Sequence, residues 1–254
     1  MRNLLFKISF EGSKFHGWQQ QINAVSVQGE LNAAFKRLTG ESVTITGCSR
    51  TDAGVHAKEY FFNVKTNSTI PAESFPAALS SAKLPGEISV ISCCEVNESF
   101  NARFDCVKKE YIYVFENTAV PSPFLYKRAC HYKYPMDAEL MNSAAKLFIG
   151  EYDFSAFCAA GAQVDSKVRH VYEASVQREG DLVIFKVCAN GFLYNMVRIM
   201  AGTLLYVNMG KISKADIPAI IESKDRTKAG ITAIPDGLYL NKVYFSGENN
   251  EKEC

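Results

Sequence analysis

Gly47-Cys48-Ser49-Arg50-Thr51-Asp52-Ala53-Gly54-Val55-His56-Ala57 lies between two strand-like runs, Val43-Thr44-Ile45-Thr46 before it and Tyr60-Phe61-Phe62-Asn63-Val64 after it. Strands usually meet through a short polar turn. This connection is longer and carries a cation, a carboxylate, a hydroxyl and an imidazole, with glycines at positions 47 and 54. Glycine admits backbone geometry that other residues resist, and it lets a second segment come close. Loops held by a rigid sheet are where chemistry tends to sit. Read as residues alone, the stretch has two meanings. It is a tight turn in which Asp52 caps backbone amides, or it is a site built around that carboxylate.

Working outward, Leu4 to Phe10 reads as a strand. It runs into the glycine-marked loop Glu11-Gly12-Ser13-Lys14-Phe15-His16-Gly17-Trp18-Gln19-Gln20-Gln21, which holds the only tryptophan and reads as a loop pinned by one buried aromatic. Ser26 has the character of a helix N-cap, followed by Val27, Leu31, Ala34, Phe35 and Leu38 at helical spacing and closed by Gly40. Pro71 and Pro76 bracket the start of a short helix, and Ile88 to Val96 is a further strand.

The second half starts near Lys109-Glu110-Tyr111-Ile112-Tyr113-Val114-Phe115. Its alternation puts apolar bulk on both faces, as in a central strand. A cationic strand over Lys127 to Lys133 and a helix from Asp137 to Gly150 follow. Phe154 to Gln163, rich in small residues, reads as a mobile loop. A strand pair then turns at Gly180-Asp181. Asn190 to Met209 has almost no polar side, which predicts a buried helix with Arg198 in its middle. A buried guanidinium costs several kcal/mol, on the order-of-magnitude scale for buried ions, unless it is paired. The expected partner is a carboxylate, either structural or catalytic. The halves, 1–105 and 106–246, echo one another in pattern, and residues 247–254 are expected to form an unstructured tail.

At 254 residues and 47% hydrophobic content, the chain has material for a sizeable core. No run of about eighteen apolar residues predicts a membrane helix, and no signal-peptide pattern follows the N-terminus, so the expectation is a cytoplasmic protein. Eight cysteines, at 48, 93, 94, 106, 130, 158, 188 and 254, form no Cys-x-x-Cys pair, and the four histidines are scattered. No metal site is expected, and the cysteines read as small buried hydrophobes of a reduced protein. Cys93-Cys94 makes a poor dithiol centre, since neighbours on a strand point to opposite faces. The net charge of +1 argues against a general nucleic-acid binder. Residues 248–254 carry −2 of that total, leaving +3 for the body. Basic residues gather at Lys108-Lys109, Lys127-Arg128, Lys167 with Arg169, and Lys224-Arg226-Lys228.

Arg50 to Ala57 resembles the catalytic-aspartate motif of the tRNA pseudouridine synthase A family, with Ser49 where many members have glycine. The likeness extends from Phe6 to Phe245, through Phe15-His16-Gly17-Trp18-Gln19, Asn101-Ala102-Arg103-Phe104 and Phe192-Leu193-Tyr194-Asn195-Met196-Val197-Arg198. It implies an α+β fold, with two similar halves sharing one mixed, mainly antiparallel sheet, helices on one face and a central catalytic cleft. It implies isomerisation of uridine to pseudouridine at positions 38, 39 and 40 of the tRNA anticodon stem-loop, by a homodimer without cofactor or metal. Asp52 is then the catalytic nucleophile, Arg198 its cation, and Tyr111 the aromatic that stacks on the target base. Arg50 and Leu238 are substrate contacts, and His16, Gln19, Arg103 and Arg169 contact tRNA. Such a reaction oxidises nothing and transfers no phosphate, which fits the absence of a nucleotide-binding glycine loop. The alternative is an RNA-binding or tRNA-folding factor of the same fold with idle chemistry.

Overall fold

The computed structural model describes residues 1–161 and 164–246. In chain order the regular elements are β1 (Arg2–Phe10), α1 (Val27–Thr39), β2 (Ile45–Gly47), β3 (His56–Thr66), α2 (Phe75–Ser81), β4 (Ile88–Val96), β5 (Cys106–Glu116), β6 (Cys130–His131), α3 (Ala138–Ala145), β7 (Gly150–Asp153), β8 (Val168–Glu179), β9 (Leu182–Ala189), α4 (Met196–Asn208), α5 (Ile217–Ser223) and β10 (Leu238–Phe245). The fold is α+β with a mixed, mainly antiparallel sheet. Two compact units emerge. One is Met1–Val107 with residues 240–246, and the other is Lys108–Tyr239.

In the first unit the strand order is β4-β1-β3-β10, with β2 paired to β3. Ser26 accepts from Gly29 N–H and starts α1, and Gly40, at φ 76°, ends it in the left-handed conformation. The apolar stripe of α1 lies on an aromatic cluster. Phe6 of β1 stacks on Phe62 of β3 at 4.8 Å and meets Phe35 of α1 and Phe75 of α2 edge-on at 5.4 and 5.5 Å. Each such pair adds about 0.5–1.5 kcal/mol to plain burial.

In the second unit the order is β5-β9-β8-β7, with β6 parallel to β5. Both faces of β5 are buried. Tyr113 and Phe115 lie on one side, and Ile112 and Val114 pack with Ala129 and Leu125 on the other. β8 and β9 turn at Gly180-Asp181, as the sequence predicts.

Three expectations change. The cationic strand over Lys127 to Lys133 shrinks to Cys130–His131; a turn with Lys127 at φ 57° carries Arg128 and Ala129 N–H back onto the Leu125 carbonyl at 2.8 and 3.1 Å. The apolar run Asn190 to Met209 is helical only from Met196. Asn195, at φ 60°, turns the chain into α4, and 190–195 is irregular. Phe154 to Cys158, read as a mobile loop, is core. Phe154 and Phe157 are fully buried, and Phe157 packs on Phe148 at 5.2 Å. Residues 162–163 of that stretch, and the expected tail 247–254, lie outside the described residues.

Candidate active site

In the first unit the Asp52 loop is clamped by the loop that follows β1. Trp18 N–H donates to the Thr51 carbonyl at 3.2 Å, and Gly54 N–H donates to the Phe15 carbonyl at 3.1 Å. The approach is so close that a Cβ on Gly17, whose φ is 90°, would lie 2.4 Å from Thr51 O. On Gly12 it would lie 2.0 Å from Val55 O. Only glycine permits both. Trp18, 2% exposed, stacks on Tyr60 at 4.1 Å and acts as the buried anchor that its sequence context implies. The Tyr60 hydroxyl donates to the Ser49 carbonyl, and Cys48 N–H donates to Phe61 O at 2.9 Å, so both ends of the loop are fixed.

Asp52 is half-buried, and its carbonyl accepts from Val55 N–H at 3.2 Å. His56, fully buried at the start of β3, accepts from Gly12 N–H through Nδ1 at 2.9 Å. Nδ1 also lies 3.3 Å from Glu11 Oε1, so the buried ring ties β3 to the loop after β1 as a strut. The Thr51 hydroxyl is buried with no partner among the described residues. Arg50 is exposed. His16 and Gln19 are exposed on the clamping loop, and Gln19 Nε2 donates to Gln28 of α1 at 2.7 Å. The backbone contacts thus bring the loop that carries His16 and Gln19 against the loop that carries Arg50 and Asp52. Arg103 sits elsewhere, exposed on the Asn101–Asp105 turn and over the Phe104 ring at 5.7 Å.

In the second unit Tyr111, 6% exposed on β5, meets Phe192 edge-on at 5.0 Å. Phe192 belongs to the loop that enters α4, where Arg198 is half-buried. Arg198 donates through Nε to the Ala233 carbonyl at 2.7 Å and through Nη1 to Asn195 Oδ1 at 2.7 Å. The Ala233 side is built by backbone packing. A Cβ on Gly202 of α4 would fall 1.9 Å from Ile231 O, so the incoming segment lies directly on the helix. The same segment accepts the Tyr113 hydroxyl at Ile234 O, 2.8 Å, and then delivers the buried Leu238 at the start of β10. Burial pushes the Tyr113 phenol well above its ordinary range, so it stays a neutral donor.

Arg169 is spent on the carbonyls of Ser166 and Val168 at 2.9 and 2.6 Å, beside Gly191. Burial lowers its pKa from the ordinary arginine value. Asn195 and the Ala233 carbonyl are not legible as site groups from the sequence. An asparagine just before a helix is a weak signal for left-handed backbone, and a carbonyl leaves no signal at all. Among the described residues no group of three or more His, Cys, Asp or Glu side chains is placed to hold a metal ion. Among the described residues no helix is long and apolar enough to cross a membrane.

Residues 8–105 and 144–246 match the family model described as tRNA pseudouridine synthase; Tyr111 falls between the two stretches. The chain is 46% identical over 245 residues to the tRNA pseudouridine synthase A of Thermoanaerobacter sp. (strain X514), covering 96% of this chain and all of that one. It is equally similar, over the same shares, to the protein of that name from Caldicellulosiruptor saccharolyticus. It is 44% identical to that from Acetivibrio thermocellus, again with 96% and 100% covered. With the matched stretches spanning most of the chain and relatives aligned along their whole length, the chain belongs to the tRNA pseudouridine synthase family and is an isomerase that acts on tRNA uridine.

Proposed function

We propose that the chain converts uridine to pseudouridine at positions 38, 39 and 40 of the tRNA anticodon stem-loop, with Asp52 as the catalytic nucleophile. The observation that carries this reading is the clamp on Asp52. Two loops are held backbone to backbone through Gly12 and Gly17, and the half-buried Asp52 lies on one of them. A turn needed only for connection does not require so close an approach.

The reaction breaks N1–C1′, rotates the base and joins C5 to C1′, so no atom is gained or lost. The target base must leave the stack first. Asp52 has to be ionised to act, and Arg198 supplies the cation that favours the charged form. Tyr111 stacks on the extruded base, Leu238 packs against it, and Arg50 contacts the RNA. His16, Gln19, Arg103 and Arg169 are further tRNA contacts. A grip made of scattered cations carries no base sequence, which suits action at several neighbouring uridines. The working protein is a cytoplasmic homodimer that needs neither cofactor nor metal.

The test uses unmodified tRNA transcripts with a single uridine moved through positions 38, 39 and 40 and with flanking pairs exchanged. Pseudouridine forms at each position regardless of flank. Product confined to one position, or lost on exchanging one pair, overturns the reading.

A further inference from the structure

The segment from Asn117 to Met136 contains no Asp or Glu, yet holds Lys127, Arg128 and Lys133 and four aromatic residues. It lies in the interval between the two stretches that match the family model. Its backbone is tied down from several sides. The buried Glu116 carboxylate accepts from Ser122 N–H at 2.6 Å. Asn117 Nδ2 donates to the carbonyls of Tyr132 and Tyr134 at 2.8 and 2.7 Å. Arg178 Nη2 donates to Asn117 Oδ1 at 2.9 Å and to Met136 O at 2.8 Å, clasping the two ends. The Tyr239 hydroxyl donates to Arg128 O at 2.6 Å.

Ala129 and Met136 of this segment are buried, and Leu125 packs partly buried against Ile112, Val114 and Ala129. Its neighbours face out. Phe124 is 84% exposed, Tyr126 73% and Tyr134 58%. Lys127 Nζ lies over the Tyr126 ring at 5.6 Å, and Lys133 Nζ lies over the Tyr134 ring at 5.2 Å. A fold gains nothing by exposing three large rings on a fixed backbone, and patches of this kind mark interaction surfaces. Rings give flat faces on which any unpaired base can stack, and cations beside them meet the phosphates between bases.

From this geometry we infer that Phe124, Tyr126, Lys127, Arg128, Lys133 and Tyr134 form a second tRNA contact, one that holds unpaired nucleotides by stacking and charge. The occupant is RNA rather than a second copy of the chain because the segment itself contributes three cations and no carboxylate beside its rings. The inference rests on tRNA being the substrate and is independent of which uridine is modified.

The experiment measures binding of a full-length unmodified tRNA transcript across a salt series. Phe124→Ala/Tyr126→Ala weakens binding about tenfold or more, with KM raised, kcat at saturating tRNA retained and melting temperature unchanged. Lys127→Gln/Arg128→Gln lowers the slope of log affinity against log salt by about 1.5–2. Unchanged affinity and slope overturn the proposal. So does a fall in sedimenting mass of the RNA-free variants, which identifies the patch as a contact between copies. Mapping of the modified position is a separate readout, so failure of the anticodon assignment leaves this measurement decisive.

Discussion

Arg198 and Ala233 are bonded to one another twice. The guanidinium Nε donates to the Ala233 carbonyl at 2.7 Å, and Ala233 N–H donates to the Arg198 carbonyl at 3.1 Å. With Nη1 held by Asn195 Oδ1, the direction of the planar fork is set by one backbone carbonyl and one side-chain amide.

Lysine cannot reproduce that fork. Arg198→Lys retains the fold and the charge but loses activity on the order of 10²-fold, the scale expected when a catalytic group is misplaced by about 1 Å. Arg198→Met loses more, and on the proposal that Arg198 serves the catalytic carboxylate its pH–rate profile moves toward alkali. Single-turnover rates across pH measure both. An unchanged rate and profile for Arg198→Met would detach this residue from the chemistry.

Asp52→Asn is nearly isosteric, so the clamp around it survives. Isomerisation falls on the order of 10⁴-fold or more, while the tRNA dissociation constant stays within a few-fold. Paired binding and turnover assays check this, and turnover near the wild-type rate would refute the nucleophile assignment.

Gly17→Ala puts a methyl 2.4 Å from Thr51 O at a φ of 90°. The cost is about 2–4 kcal/mol from left-handed backbone and overpacking together. Relief comes by moving Thr51, and Asp52 with it, so kcat falls as well. Urea unfolding and single-turnover kinetics are both expected to report the change. A stable, fully active variant would show that the clamp does not position the carboxylate.

Asp153 gives a pH signature. The Ser155 hydroxyl above all, joined by Lys224 at 2.9 Å, holds its carboxyl below the usual aspartate range despite partial burial. A depressed folded-state pKa stabilises the protein above the unfolded value, about 3.9. That stabilisation is lost as pH falls through the lower folded value. The advantage of wild type over Asp153→Asn in urea midpoint is therefore full at neutral pH and shrinks below about pH 4. An advantage that is constant down to pH 2 would contradict the linkage.

Much of the scaffold is legible in local pattern. Ser26, Gly40 and the stripe between them predict α1, and the alternation of Tyr111 to Phe115 predicts a strand buried on both faces. Where pattern misleads, a backbone angle or a packing choice is responsible. The apolar run before α4 gives no sign that Asn195 turns left-handed. The small residues around Phe154 and Phe157 suggest mobility, but two phenylalanines in one short turn bury together and fix it. Lys127 to Lys133 looks extended, yet its first residues turn back onto the Leu125 carbonyl.

The sequence by itself determined the kinds of groups available: one carboxylate in a glycine-flanked loop, one arginine in an apolar helix, and an aromatic at the polar end of a central strand. These are side-chain identities, and composition and spacing record them directly. Tertiary structure decided how they are held. Thr51 O receives Trp18 N–H because Gly12 and Gly17 let two loops touch, and Ala233 O receives Arg198 because Gly202 lets a segment lie on α4. Every residue carries the same carbonyl, so only packing selects which one becomes part of a site.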